Sequence, residues 1–396
     1  MKRTFLYLLL VLFTFSCKDT SVKSEKPLSL IAKVAAQYEV LYQNAQPFKD
    51  SAKPMPRTVE NGKLRFVGVY DWTSGFHPGS MWNLYGLTKD EKWKQRAITY
   101  TELMDTIQYW EGTHDLGFMI GDSYGNALKY VDNKYYDSVM VQAAKSLSAR
   151  FKPNAGIIQS WEANDRWSCP VIIDNMMNLE MLFRATEISG DSTYYNIALT
   201  HADTTMSKHY RKDFSSYHVL DYDTESGEVI QRNTAQGYQD ESAWARGQAW
   251  GLYGYVVMYR ETQKQKYLEQ ARNIAGFIIN HPNLPEDKVP YWDYDAPVTK
   301  STPRDASAAA IAASALYELS TYVDDNLKSE YQSFANTSLE TLSNAPYLAE
   351  VGTNQGFLLK HVTGHLPNNS EIDVPINYAD YYFLEALMRK RELIKE

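Results

Sequence analysis

YQDESAWARGQAWGLYGY, residues 238–255, leads a cluster of Asp240, Glu241, Trp244 and Arg246 into a helical run read over 242–262. Its reading decides the fold, because the same arrangement recurs along the chain. DWTSGFHPGS (71–80), EGTHDLGF (111–118), SWEANDRWSCPVIID (160–174), STPRDAS (301–307) and EIDVPINYADYY (371–382) each precede or begin a helical run in the same way. Helical periodicity appears over 29–44, 79–87, 91–109, 117–130, 135–150, 173–188, 192–208, 242–262, 265–280, 305–322, 326–343 and 377–394. Pro78-Gly79, Gly190-Asp191, Pro282, Pro303 and Pro375 mark several of the boundaries, and strand alternation is scarce after residue 28.

Twelve helices make six hairpins of about 60 residues, which predicts an all-α ring, an (α/α)6 barrel with alternate helices inside and outside. In such a ring the even-numbered helices run parallel, so their N-termini open on one rim. Nearly every cluster rich in Trp, His, Asp and Arg precedes or begins an even helix, whereas odd helices begin with bland segments such as LTKDEKW, GDSTYY and TQKQKYL. Motifs scattered over the chain are therefore expected to converge on one rim. No Pro/Gly/Ser-rich linker interrupts the run, so a single domain is expected over 28–396.

Composition narrows the function classes. Of 396 residues, 44% are hydrophobic and 22% charged, ordinary values for a folded domain. The net charge of −8 argues against a nucleic-acid partner that relies on a broad basic surface. Trp, Tyr and Phe reach 13%, which suits sugar-stacking surfaces and packed cores equally.

Residues 1–17, MKRTFLYLLLVLFTFSC, place Lys2 and Arg3 before an apolar run from Phe5 to Phe15, too short to span a bilayer. That reads as a secretory signal, and Ser16 before Cys17 predicts lipoprotein cleavage with Cys17 lipidated. The alternative is a plain secretory signal with an incidental cysteine. Residues 18–27 read as a polar tether, so the expected location is the cell envelope, with membrane attachment through the lipid only. Cys169 then has no partner for an internal disulfide and is expected to be a buried bystander.

Asp115 and Asp174 each fall at or just before the start of an even helix. A single Asp there usually caps the helix. Two on one rim, each beside aromatic residues, point instead to paired carboxylate chemistry. A helix N-terminus lowers a carboxyl pKa, so an acid role requires desolvation by Trp72, Trp161 and Trp250 to prevail. Arg246 needs an anion, either Asp240 or Glu241 or a substrate carboxylate. His114 and His218 are potential donors to sugar hydroxyls. Gly247, Gly251 and Gly254, within one helix, are expected to allow close helix packing. His361 and His365 read as loop residues, and the chain has no HExxH, paired CxxC, dinucleotide fingerprint or GxSxG elbow. No metal or cofactor is expected.

THDLGF (113–118), PVIIDNMMNLE (170–180), WARGQAWGLYGY (244–255), PRDASAAAIAASALYEL (303–319) and YADYYFLEAL (378–387) together resemble the unsaturated glucuronyl hydrolases of glycoside hydrolase family 88. The resemblance covers nearly the whole chain after the tether and implies the same (α/α)6 barrel. It implies a substrate in which a polysaccharide lyase has left a C4=C5 double bond on the non-reducing uronic acid. Asp174 matches the family's general acid/base, which protonates C4 and deprotonates the water adding at C5. Asp115 matches the second carboxylate, which holds ring hydroxyls and supports the developing cation. Trp72, Phe76, Trp161 and Trp250 match aromatic walls, and His114, His218, Gln236 and Arg246 match polar contacts. The loop 352–376 shapes the next subsite in relatives. The partner sugar is expected to be a sulfated glycosaminoglycan or ulvan fragment. Three rivals remain: the sister unsaturated rhamnogalacturonyl hydrolases, a non-catalytic glycan-binding lipoprotein, and a sugar epimerase using paired histidines.

Overall fold

In the computed structural model, residues 28–395 are described; the expected signal 1–17, Cys17 and the tether 18–27 lie outside them. The α-helices are α1 (Leu30–Ala45), α2 (Phe76–Thr88), α3 (Glu91–Glu102), α4 (Lys134–Ser148), α5 (Leu179–Ser189), α6 (Ser192–Lys208), α7 (Ala245–Thr262), α8 (Gln265–Asn280), α9 (Ala306–Leu319), α10 (Asp325–Leu342) and α11 (Asn377–Lys395). The expected helix at 117–130 is present as a π-helical segment, Gly117–Gly125, and α5 is preceded by a 3-10 turn, Ile173–Asn178.

These helices close into two rings. The inner one runs α2, the π segment, the Ile173–Asn178 turn with α5, α7, α9 and α11, and α11 returns to α2. The outer helices α1, α3, α4, α6, α8 and α10 each lie against inner ones. Side-chain pattern explains the division. Outer α8 buries Tyr267, Leu268, Ala271, Ile274, Ala275 and Ile278, the single stripe of an amphipathic helix. Inner α9 is buried almost throughout, and its AAAIAASA core of small residues lets α7 and α11 close on both sides.

The glycines of α7 serve the same closeness. A Cβ on Gly254 would stand 2.4 Å from Met176 Cβ, and one on Gly251 would stand 2.3 Å from Tyr210 Oη. Asp305 and Asp191 cap α9 and α6 through backbone N–H groups two residues on.

The strands are the main departure from expectation. Among the described residues nine short strands form four small sheets in the loops. They are β1 (Met55–Glu60) with β2 (Lys63–Val67), β3 (Phe151–Lys152) with β4 (Ile157–Ile158), β5 (Pro170–Ile172) with β6 (Val219–Tyr222) and β7 (Val229–Asn233), and β8 (Val362–His365) with β9 (Ser370–Val374). His365 therefore ends a strand and is no loop residue. Cys169 is buried, and burial pushes its thiol up to about 11, which makes it inert.

Candidate active site

A cleft opens on the rim where the inner helices begin. Arg57, Trp72, His114, Asp115, Trp161, Ile172, Asp174, Gln236, Arg246, Gly364, His365, Glu371 and Tyr378 line it. Segments as far apart in sequence as Arg57 and Tyr378 thus meet, as the phase of the motifs required.

Strand register builds the centre of the site. β5 pairs with β6 so that Ile172 faces Val219, and the ladder continues as Ile173 N–H donates to the His218 carbonyl at 3.1 Å. That sets Asp174 beside His218. β6 pairs with β7, Val219 facing Asn233, which delivers the turn 234–236 onto the same histidine. The backbone N–H groups of Ala235 and Gln236 both donate to His218 Nδ1 at 3.1 Å. A ring nitrogen that accepts carries no proton, so the proton of His218 sits on Nε2. Nε2 and Asp174 Oδ2 face each other at 3.8 Å, beyond hydrogen-bond distance, and neither has a hydrogen-bond partner.

Neither aspartate is a cap. The Ile173–Asn178 turn and the π segment both lack a side-chain capping bond. Asp174 is 6% exposed, and its pKa is pushed up to about 7, chiefly by burial. The Arg246 charge opposes that shift, Asp115 adds to it, and the indole N–H of Trp250 opposes it without the geometry of a hydrogen bond. Desolvation prevails, so Asp174 is a carboxyl that can hold a proton at neutral pH. Asp115 accepts from the Thr113 hydroxyl at 2.9 Å and faces His114 Nε2 at 3.3 Å.

Arg246 pairs with neither Asp240 nor Glu241. Its Nη1 donates to Asp305 at 2.9 Å and to the Thr363 carbonyl, and its Nη2 donates to Gln236 Oε1 and the Gly364 carbonyl. Only Nε–H is without a partner. Chain geometry explains the change: Asp305 starts the neighbouring inner helix, whereas Asp240 and Glu241 are turned toward Arg166 and Arg211. Arg246 therefore clamps the β8–β9 hairpin onto the rim and, by occupying Gln236 Oε1, leaves the Gln236 amide N–H groups as donors.

Not every expected residue reaches the cleft. Trp72 does, stacked on Tyr378 at 5.4 Å, and Trp161 does, edge-on to Trp167 at 5.4 Å. Phe76 and Trp250 are fully buried one layer deeper, Phe76 edge-on behind Trp72 and Trp250 tilted against Phe118. Sequence reasoning missed Arg57, His365, Glu371 and Tyr378 as lining residues. Arg57 grips Glu371 through two bonds, at 2.6 and 2.8 Å, and Asp71 through two more, at 3.0 and 2.9 Å. It thereby ties the first hairpin to the last across the mouth. Tyr378 lies in the YADYY segment and could have been found there; Arg57 carries no local signal. Among the described residues no group of three His, Cys, Asp or Glu is placed to hold a metal ion.

No family model matches the chain. Among curated proteins it is 46% identical to an unsaturated glucuronyl hydrolase of Formosa agariphila over 99% of both chains. It is 34% identical to that of Bacillus sp. GL1, over 84% of this chain and 89% of the relative. Among solved structures it superposes on an unsaturated glucuronyl hydrolase specific for heparin with a TM-score of 0.88 and 49% identity, over 93% of this chain and 98% of the other.

Proposed function

The chain belongs to the unsaturated glucuronyl hydrolases, and from that premise we propose that Asp174 is the proton donor that starts removal of a 4,5-unsaturated uronic acid from an oligosaccharide end. The observation that carries this is a buried carboxyl, facing an open cleft, that burial holds at about 7. Half-protonated near neutrality, it can give a proton and take one back in a single turnover.

The chemistry follows from the vinyl ether. Asp174 protonates C4, and the positive charge forms at C5, shared with the ring oxygen. Asp115, which lines the same cleft, supports that charge; a positioned group of this kind supplies about 3 kcal/mol. The ionised Asp174 then takes a proton from water as its oxygen bonds to C5. The hemiketal collapses by breaking the bond from C5 to the ring oxygen, which leaves a hemiacetal at C1. Its collapse releases the saccharide and an open-chain keto uronic acid. Because the anomeric carbon is never attacked, carboxylate separation carries no stereochemical prediction here.

His218 has a definite part. Its Nε2–H points at Asp174 and its Nδ1 is taken by backbone donors, so it stays neutral and cannot drain the acid's proton. Burial lowers its pKa well below the usual range, in accord with that geometry. Trp72 and Tyr378 offer a stacked apolar wall to the ring, and the Gln236 amide and His114 offer polar contacts.

The substrate we favour is a sulfated glycosaminoglycan fragment, heparin-type first, since the 49% identical solved relative is specific for heparin. An ulvan fragment is the second choice. We further propose an envelope lipoprotein anchored through Cys17, on the signal-like residues 1–17.

The test is incubation of residues 28–396 with lyase-generated unsaturated oligosaccharides from heparin, chondroitin, gellan and ulvan, following the ultraviolet absorbance of the conjugated double bond. Loss of absorbance with one substrate, abolished in Asp174→Asn, is expected. Binding without loss of absorbance for any of the four would favour the glycan-binding lipoprotein instead.

A further inference from the structure

The two aspartates of the cleft each face a histidine, and the two rings are wired oppositely. His114 Nδ1 lies 2.6 Å from Asn175 Oδ1. The orientation of that amide is determined by its other end: Asn175 Nδ2 donates to the Ile158 carbonyl at 2.6 Å and to Ser160 Oγ at 3.2 Å. Flipping the amide would set its oxygen against a carbonyl that can only accept. Asn175 Oδ1 therefore faces His114, and Nδ1 must carry a proton. A neutral ring then turns a bare lone pair on Nε2 toward Asp115 Oδ1 at 3.3 Å, where an ionised carboxylate also only accepts. The other Asp115 oxygen already accepts from Thr113.

We propose that Asn175 is a positioning residue that fixes the Nδ1–H tautomer of His114, so that His114 Nε2 and Asp115 Oδ1 hold one shared proton facing the substrate's hydroxyls. This rests on the assignment of the cleft as the uronate site, but it concerns a proton distinct from that of Asp174. Asn175 is fully buried and lies behind His114, so it touches no substrate. With the proton present, it bridges Nε2 and Oδ1 and leaves the other lone pairs of Asp115 to accept from a ring hydroxyl. Once it is lost, Nε2 and Oδ1 oppose each other as two acceptors, the carboxylate is pushed out of place and binding weakens.

The charged and titratable groups around His114 are few. Asp115 is on its own segment. Burial, foremost, and the charge of Arg150 just past α4 hold the His114 pKa below its usual value, against Asp115 and the Asn175 hydrogen bond, which raise it; His201, on α6, is buried and neutral. Asp174 and Arg246 line the same cleft. Arg150 gives Nε to the Gln159 carbonyl and Nη1 to the Glu111 carbonyl and Glu162, while its buried Nη2 has no hydrogen-bond partner.

Two-bond proton–nitrogen spectra of the 15N-labelled domain without substrate, with the His114 ring assigned from His114→Gln, read the tautomer directly. Protonated Nδ1 is expected across pH 5 to 9. A neutral ring with its proton on Nε2 overturns the proposal, whatever becomes of the Asp174 assignment. Kinetics give a second reading. In the wild type KM should rise with pH, by about tenfold per pH unit once the proton is lost. In Asn175→Ala the ring is free to turn Nε2–H toward Asp115, so this rise of KM with pH should vanish while the kcat limb of Asp174 stays. Retention of the rise in Asn175→Ala, or its absence from the wild type, overturns the proposal. If Asn175→Ala does not fold, the wild-type spectra decide.

Discussion

Asp174 and Glu180 lie within one short segment, on the turn that leads into α5 and on its first turn, yet their carboxyls titrate in opposite directions. Burial pushes both upward. For Asp174 that push prevails, to about 7, because its nearest cation, Arg246, is committed to Asp305 and three other acceptors. For Glu180 it does not: Arg260 sits at 2.8 Å, Lys129 and Arg184 add their charges, and the carboxyl is held down to about 2. Arg246 and Arg260 are the first and last arginines of α7, about 21 Å apart along its axis. One helix thus commits its rim guanidinium to acceptors other than Asp174, while at its other end Arg260, also paired with Glu261 and Glu318, keeps Nη2 against Glu180. Burial alone does not make an acid; burial with the neighbouring cation already spoken for does.

The largest consequence is catalytic. Asp174→Asn keeps the shape but cannot donate or accept the proton, so kcat for double-bond loss should fall about 10³-fold. Glu180→Gln should leave the pH dependence of kcat in place. If both variants lose activity equally, the contrast fails.

The next effect is on stability, with opposite signs. A folded-state pKa raised from 3.8 to about 7 means the folded protein binds more protons than the unfolded chain between those values. Stability is then lost as pH rises from about 4 to 7, reaching about 4 kcal/mol above pH 7. Asp174→Asn should therefore be more stable than the wild type at pH 8, with the gain shrinking toward pH 4. Denaturant titrations at the two pH values check it. For Glu180, whose pKa is lowered from 4.5 to about 2, the contribution is present above pH 4.5 and is lost as pH falls toward 2. Glu180→Gln should cost about 2 kcal/mol at pH 8, a modest figure because the pair is partly exposed.

A smaller effect probes the turn itself. Gly254 packs on Met176, two residues beyond Asp174. Gly254→Ala should cost about 1–2 kcal/mol by overpacking and reduce kcat by about tenfold through displacement of the turn. An unchanged kcat with a lowered melting temperature would show that Asp174 is placed by β5 and β6 alone.

How much of this was legible follows from which interactions are local. Each of the twelve helical segments was readable because its apolar spacing and punctuation lie within a few turns. The phase of the motifs then placed Asp115 and Asp174 on one rim. The strands were not readable: β5 has three residues and β6 four, too short for alternation to register, and their pairing spans some 50 residues. The same non-locality hid the Arg57–Glu371 clasp and gave Arg246 the partner Asp305. Phe76 and Trp250 carried the right residue type at the right helix starts, but sequence spacing could not tell the lining layer from the one behind it.

Asp174 is expected to keep its proton near neutral pH, and Glu180 to be ionised there. Carbon-13 titration of the labelled side-chain carboxyls, with Asp174→Asn and Glu180→Gln to assign them, measures both at once. A midpoint near 7 that disappears in Asp174→Asn is expected, with a Glu180 signal that stays ionised to about pH 2. An Asp174 midpoint near 4, that of an ordinary solvated carboxyl, would contradict it.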